Sequence, residues 1–313
     1  MAHPVTTSGA PSGLLTGPPA AVLGDLSALG DLAWNLRPEV ALPLIVAAGL
    51  YALGGWRLAR RSARAPAARI VVAAAGLAAV AVALLSPLDA LADRLFVAHM
   101  IQHMLLMMVA APALLLADPF PVVVWGLPGP TRHRLGRWLG RGAPFRRVWV
   151  VATTMPVAWL LYTGIVWAWH LPFAYDAALS DRLIHDAEHA AFFFGSVLFW
   201  WPVVHPAPRF RRAARPASRI VYLVLAAFQT AALGLLLTLA PAILYRTYAT
   251  AARPDALGAL DDQAWGGVVM WGLGGLIDMI AVLVLLYRSF GADAAGRLAV
   301  PALSAPGSAD SSP

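Results

Sequence analysis

Cysteine and lysine are both missing from this sequence, and charged residues of any kind are scarce. The 313 residues contain no cysteine, and all 23 basic residues are arginine. The lack of cysteine excludes disulfides, iron–sulfur clusters and metal sites built on thiolates. Charged residues make up only 12% of the chain, against about 25% in ordinary soluble domains. Any metal site must therefore use other ligands, and a soluble or disordered protein is excluded.

Long hydrophobic runs dominate the sequence, in contrast to the scarce charged residues. Hydrophobic residues make up 60% of the chain, and the mean hydropathy is +0.69. Because about 20 apolar residues of helix cross a bilayer, we predict an all-α membrane protein with seven transmembrane helices. The transmembrane domain covers 38–287, after an N-terminal segment 1–37 and before a disordered tail 288–313. The predicted spans are 38–57, 69–86, 95–117, 148–169, 185–204, 219–240 and 264–287.

The distribution of arginine predicts the orientation of these spans. Most arginines lie after the first, third and fifth spans or in the C-terminal tail, whereas most acids lie in the other connectors. Cytoplasmic loops carry the excess of basic residues. We therefore predict an N-terminus outside and a C-terminus in the cytoplasm. The net charge of +7 then reflects topology and not nucleic-acid binding.

Five of the eight histidines fall at the outer ends of three predicted spans. His99 and His103 open the third span, His170 ends the fourth, and His185 and His189 open the fifth. Residues four apart on a helix point the same way, so each of the two pairs could offer two imidazoles to one metal ion. Hydrogen bonding between helices is the alternative use of such residues.

Methionine thioethers accompany the first histidine pair. Met100 and Met107 lie close to this pair along the same helix and are candidate ligands. Imidazole and thioether without thiolate favour copper among the common metals. Asp278 is an acid inside the last predicted span, and the sequence leaves open whether it has a proton-carrying or a structural role.

Two other kinds of site fit parts of this pattern. Residues 185–189 read His-Asp-Ala-Glu-His, which matches an inverted zincin signature in which His185 and His189 bind zinc and Glu188 is the general base. Alternatively, histidines from different helices could hold one haem near the outer surface in a redox protein. A spacing of four residues does not allow two haems stacked across the membrane.

Several short motifs, taken in order, resemble a known family. The chain is similar from about residue 40 to 287 to the seven-span CtaG family of cytochrome c oxidase assembly factors, associated with caa-type oxidases. The histidines at 185 and 189 are part of the pattern. The other motifs are Ser-Pro-Leu-Asp at 86–89, His-Met-Ile-Gln-His-Met-Leu-Leu at 99–106, Trp-His-Leu-Pro at 169–172, Phe-Trp-Trp-Pro at 199–202, Asp-Gln at 262–263 and Gly-Gly-Val-Val-Met-Trp at 266–271.

The resemblance implies a non-enzymatic factor of the bacterial plasma membrane that helps to make active haem–copper oxidase, with copper as its cofactor or cargo. Implied partners are oxidase subunits, an extracytoplasmic copper donor and membrane lipid, without nucleic acid. The motif histidines of the family correspond to His99, His103, His170, His185 and His189. Neighbouring groups are expected to orient the imidazole N–H groups, namely Asp176, Asp186, Glu188, Asp262 and Gln263.

Overall fold

The computed structural model describes residues 34–61, 67–251 and 257–298, with side chains as far as residue 291. Within these ranges every regular element is helical. Most of the predicted N-terminal segment and the end of the predicted tail lie outside the described residues. The helices are α1 (Pro38–Ala59), α2 (Ala67–Leu85), α3 (Pro87–Ala92), α4 (Phe96–Leu116), α5 (Pro119–Gly126), α6 (Gly129–Trp138), α7 (Pro144–Ala152), α8 (Met155–Trp169), α9 (Pro172–Ser180), α10 (Arg182–Val204), α11 (Pro216–Thr238), α12 (Arg246–Thr250) and α13 (Ala259–Leu298).

Six of the described helices are long and apolar enough to cross a membrane, or seven if the bent pair α7 and α8 counts as one span. The six are α1, α2, α4, α10, α11 and α13. This confirms the prediction of an all-helical chain with several spans. α13 continues to Leu298, so the segment predicted as a tail from residue 288 begins as a continuation of the last helix.

The fourth predicted span, 148–169, is not one straight helix. α7 and α8 meet at an angle of 76°. Pro156 lies in the first turn of α8, where its missing N–H costs nothing, whereas inside a continuous helix its ring would collide with the carbonyl group of residue 152. The hydroxyl groups of Thr153 and Thr154 donate to the carbonyl oxygens of Trp149 and Val151 at 2.7 and 2.8 Å. These bonds stabilise the end of α7 and the bend.

α4 is the most buried of the spans and α1 the least. α4 packs against α2, α10 and α13, and α13 packs along the length of α11. The α11–α13 contact is close because Gly234 and Gly267 face each other. A Cβ atom on either glycine would collide with the carbonyl oxygen of the other, as is common where small residues let membrane helices approach.

The middle of α4 is π-helical from Leu105 to Ala110. In a π-helix each N–H group bonds the carbonyl group five residues earlier, so Pro112, which has no N–H group, leaves the Met107 carbonyl group without its helical partner. The indole Nε1–H of Trp200 donates to that oxygen at 3.1 Å. The π-helical stretch is thus stabilised by a side chain from α10, one turn beyond the last histidine of α4.

An additional apolar helix, α5, packs across the C-terminal half of α1. Hydropathy predicts a connector between the third and fourth spans at these residues. Gly54 of α1 lies against the backbone of Val122, and Gly126 lies against the backbone of Leu50. The Arg57 guanidinium donates to the carbonyl oxygens of residues 125–127 at the end of α5, which is the favourable position for a cation on a helix.

Candidate metal centre

The five predicted histidines meet at one end of the bundle, which we call the histidine end. α4 brings His99 and His103, the end of α8 brings His170, and the first turns of α10 bring His185 and His189. The ring centroids of His99 lie 4.3 Å from His103, 5.1 Å from His185 and 5.7 Å from His189. His103 lies 6.5 Å from His170. The structure thus brings together residues from three separate parts of the sequence.

Glu188 projects from α10 into this group of rings. One carboxylate oxygen lies 3.7 Å from Nε2 of His99, and the other lies 4.0 Å from Nε2 of His103. The side chain is fully buried at 0% exposure. We call the five histidines and Glu188 the histidine cluster. A buried carboxylate needs a cation or strong donors to offset its desolvation, so Glu188 adds to the affinity of the cluster for a positive ion.

Two overlapping sets of three groups have the spacing of a metal site. His99, His103 and His189 form one set, and His99, His185 and Glu188 form the other. In each set the nearest ligand atoms lie within 4.8 Å of one another. His99 belongs to both sets. We call the first set the inner triad and the second the outer triad.

Hydrogen bonds fix the protonation of two of the rings. The Tyr248 hydroxyl donates to the carbonyl oxygen of Ala92 at 2.6 Å and lies 2.9 Å from Nδ1 of His99. Burial raises the pKa of Tyr248, so this hydroxyl keeps its proton, donates it to Ala92 and accepts from Nδ1–H of His99. Nδ1 of His170 lies 2.7 Å from the carbonyl oxygen of Val166 and must be the donor, because a carbonyl group only accepts. In both rings the lone pair is therefore on Nε2.

The Nε2 atoms of all five histidines and both oxygens of Glu188 are buried without a hydrogen-bond partner among the described residues. A buried polar atom that makes no hydrogen bond costs about 1–3 kcal/mol. Five imidazole nitrogens and a carboxylate in one place are the donor set that borderline metal ions prefer. The residues therefore fit a bound metal ion.

Groups on α9, α12 and α13 hold the backbone around the cluster. Asp262 accepts from the N–H groups of Phe96 and Val97 at 2.8 and 3.0 Å and thus caps the N-terminus of α4. Gln263 accepts from the N–H group of Leu244 at 2.7 Å. Asp176 accepts from the backbone and side chain of Thr247. These hydrogen bonds hold backbone segments next to the cluster, and Asp176 also holds the side chain of Thr247.

Asp186 pairs with Arg37, which precedes α1 and is only 4% exposed. Arg37 also lies 3.1 Å from Glu39 and 3.7 Å from Asp89. Burial alone would lower the pKa of Arg37, but the hydrogen bonds to Asp186 and Glu39 raise it above its usual value. Gln102 donates to Asp89 at 2.8 Å and links this ion-pair network to α4.

The remaining candidates lie at other faces of the helices. Met100 is fully buried beside Gly266 of α13, and Met107 is buried in the π-helical part of α4. Their role as ligands stays a prediction. Asp278 is buried in α13, and neither of its carboxylate oxygens has a hydrogen-bond partner in the described part of the chain. Gly274 lies one helical turn before Asp278, and the side chains nearest to it are those of Thr230, Met104 and Met108.

Sequence reasoning did not single out Arg37, Gln102 or Tyr248. Gln102 lies inside the motif at 99–106, where it is the polar residue between the two histidines, and this position could have marked it as a candidate. Arg37 and Tyr248 reach the site from segments far away in the sequence, and no local pattern marks them.

Comparison with known proteins gives one match. A family model described as cytochrome c oxidase caa3 assembly factor (Caa3_CtaG) matches residues 49–291. No curated protein and no solved structure matched the chain. The matched range includes every histidine of the cluster and agrees with the resemblance drawn from the motifs.

Proposed function

The chain belongs to the cytochrome c oxidase caa3 assembly factor family, and from this premise we propose that it binds copper in the histidine cluster and assists its delivery to the oxidase. Membership in the family supports a role in oxidase assembly. Copper is the finer part of the proposal. It acts here as cargo and not as the cofactor of a reaction, so we propose no enzymatic activity.

The observation that carries the proposal is the set of five inward-facing Nε2 atoms. Imidazole binds copper in both oxidation states, and a site without thiolate holds the ion less tightly than a cysteine cluster would. Since a delivery factor must release its ion, a moderate affinity suits this role. Glu188 compensates part of the positive charge of the ion inside an otherwise apolar bundle.

The shared ligand His99 supports movement of the ion within the site. A single Nε2 lone pair cannot serve the inner and the outer triad as separate complete sites at the same time. An ion held by His185 and Glu188 can instead remain bound to His99 while His103 and His189 replace the other two ligands. We infer one ion for each chain, with the two triads as alternative positions.

The distribution of arginine supports an orientation with the histidine end outside. Sixteen arginines of the described residues, from Arg57 to Arg288, lie on connectors and helix ends away from the histidine end. In a bacterial plasma membrane the cluster would then face the extracytoplasmic side. A copper donor there and the oxidase subunits in the same membrane are the partners we propose, with lipid around the bundle.

Metal analysis tests the proposal directly. We expect the detergent-purified chain, loaded with Cu(I) and measured by mass spectrometry, to hold about one copper ion, since the cluster offers one shared set of ligands. Changing His99 and His103 together to alanine should abolish binding, whereas His133→Ala, on the exposed surface of α6, should not. Absence of copper from the loaded wild-type chain would refute the copper proposal.

A cellular assay tests the functional consequence. His103→Ala and His189→Ala should each lower oxidase activity while the protein remains in the membrane at its normal level. His133→Ala should leave oxidase activity unchanged. Normal oxidase activity in both cluster variants would show that the cluster is not needed for assembly.

A further inference from the structure

A polar cavity opens beside the histidine cluster. Its volume is about 460 Å³, and it lies between the segment before α1, helix α3, helix α9 and the start of α10. Asp89, Asp93, Ser180 and His185 are among its lining residues, together with Arg37. We call this cavity the vestibule.

His185 connects the vestibule to the cluster. Its side chain is only 8% exposed, yet it lines the vestibule, and its Nε2 atom has no hydrogen-bond partner among the described residues. Its ring centroid lies 4.3 Å from that of His189 and 5.1 Å from that of His99. His185 therefore belongs both to the outer triad and to the wall of the vestibule.

Two carboxylates and two arginines set the charge of the vestibule. One arginine, Arg182, is exposed and pairs with Glu39 at 2.7 Å, so it is held away from the two carboxylates. Asp89 and Asp93 line it directly. Arg37 pairs with Asp89 and also with Glu39 and Asp186. The guanidinium is almost fully buried among these three carboxylates. A metal cation would also be stabilised at this position, because it needs the same negative partners.

A second cavity that reaches the cluster is much less polar. It has a volume of about 420 Å³ between α1, α2, α4 and α10 and ends at His189. Most of its wall is aliphatic or aromatic, including Leu44, Val80 and Phe193. Its polar lining residues are Glu39, Asp186 and His189, and the first two already pair with Arg37. A hydrated ion that crossed the long apolar part of this wall would lose water without gaining polar partners, which is costly. The carboxylates of the vestibule offer such partners.

We propose that the metal ion enters the histidine cluster through the vestibule, which we call the loading port. In the metal-free protein Arg37 is the counter-ion of the carboxylates there. A cation is attracted by Asp93 and Asp89, takes the place of the guanidinium beside Asp89, and then binds Nε2 of His185. From His185 it reaches His99 and Glu188 of the outer triad. This inference rests on the proposed function, because it describes how the ion reaches the proposed site.

The test measures the rate of copper uptake separately from the final amount. Cu(I) is supplied as a weak coloured chelate at several concentrations to the purified full-length chain, and loss of the chelate colour is followed by stopped flow. Asp93→Asn should slow uptake about threefold or more at low salt, because it removes an attracting charge. The final copper content should stay that of the wild type, since no ligand is lost.

Two controls make the result specific. Asp261→Asn removes the same charge at the start of α13, outside the vestibule, and should load at the wild-type rate. Raising the salt to about 0.5 M should remove the difference between Asp93→Asn and the wild type, because it screens long-range attraction.

A third variant tests the role of Arg37. Arg37→Gln should load copper faster than the wild type, and its melting temperature checks that it is folded.

The outcomes separate this inference from the proposed function. If the wild type takes up copper and Asp93→Asn loads at the same rate at low salt, the loading port is refuted while the copper site stands. An equal slowing by Asp261→Asn would also overturn it, since the effect would then be one of overall charge. If the wild type takes up no copper, both proposals fail.

Discussion

Tyr248→Phe tests whether the protein orients His99 for a metal ion. The Tyr248 hydroxyl is buried, and its contacts include Nδ1 of His99 at 2.9 Å and the carbonyl oxygen of Ala92 at 2.6 Å. Phenylalanine keeps the ring packed against Phe96, whose centroid is 5.7 Å away, but removes the hydroxyl and the hydrogen bonds it makes. His99 is then free to carry its proton on Nε2, the atom that faces Glu188.

The expected effect has two parts. His99 and Ala92 each lose a buried hydrogen bond, at a cost of about 1–3 kcal/mol for each group left without a partner, so the free energy of unfolding falls. Loss of the group that orients a histidine ligand typically weakens metal binding about 10- to 100-fold. That factor corresponds to about 1.4–2.8 kcal/mol of binding free energy. Competition with a Cu(I) chelator of known affinity measures the second part, and thermal unfolding in detergent measures the first.

Tyr245→Phe is the matched control. Tyr245 is also buried beside Phe96, but its hydroxyl donates to the backbone carbonyl group of His170 at 3.1 Å and not to an imidazole ring. We expect a smaller loss of stability, of about 1–3 kcal/mol from the one lost bond, with nearly unchanged copper affinity. Equal copper affinities in Tyr248→Phe and the wild type would refute the reasoning, as would an equal loss in both tyrosine variants.

Three further predictions concern other parts of the chain. Gly54→Ala should lower the melting temperature, at a cost of about 1–3 kcal/mol from overpacking against α5, whereas Gly49→Ala on the same helix has nothing within 4 Å and should not. Trp200→Phe leaves the Met107 carbonyl group without its donor. We expect the free energy of unfolding, measured by thermal unfolding, to fall by about 1–3 kcal/mol. An unchanged melting temperature would show that the π-helical stretch does not need the indole. Asp278→Asn should leave copper content unchanged, and a loss of copper would place this acid in the metal site.

The sequence predicted the helical membrane fold well because the long apolar runs carry the signal themselves. α1, α2, α10 and α11 begin and end within a few residues of their predicted bounds. The sequence did not reveal the bend in the fourth predicted span, where hydropathy continues across residues 153–154 but Pro156 prevents one continuous helix. It also missed α5, whose eight apolar residues are too few to cross a membrane and gain their helical packing from contact with α1.

The histidines could be predicted because the spacing of four and the shared depth are properties of single helices. Their meeting could not, since it depends on how α4, α8 and α10 pack. Tyr248 illustrates the difficulty, because it reaches His99 from the short helix α12, 149 positions away in the sequence. The same holds for Arg37, whose contact with Asp186 also joins residues 149 positions apart.

The geometry of the cluster bears on the two alternative kinds of site, a haem and a zinc hydrolase. A haem between two axial imidazoles needs a flat space for the porphyrin, but the rings of His99, His103 and His185 lie beside one another with centroids as close as 4.3 Å, and Glu188 lies among them. A zinc hydrolase with Glu188 as general base needs that carboxylate beside a water-filled cleft that admits a substrate. Glu188 is instead fully buried and faces His99 and His103. His185 is a lining residue of the vestibule and Glu188 is not, so a molecule bound in the vestibule would meet the imidazole ring before it met the acid.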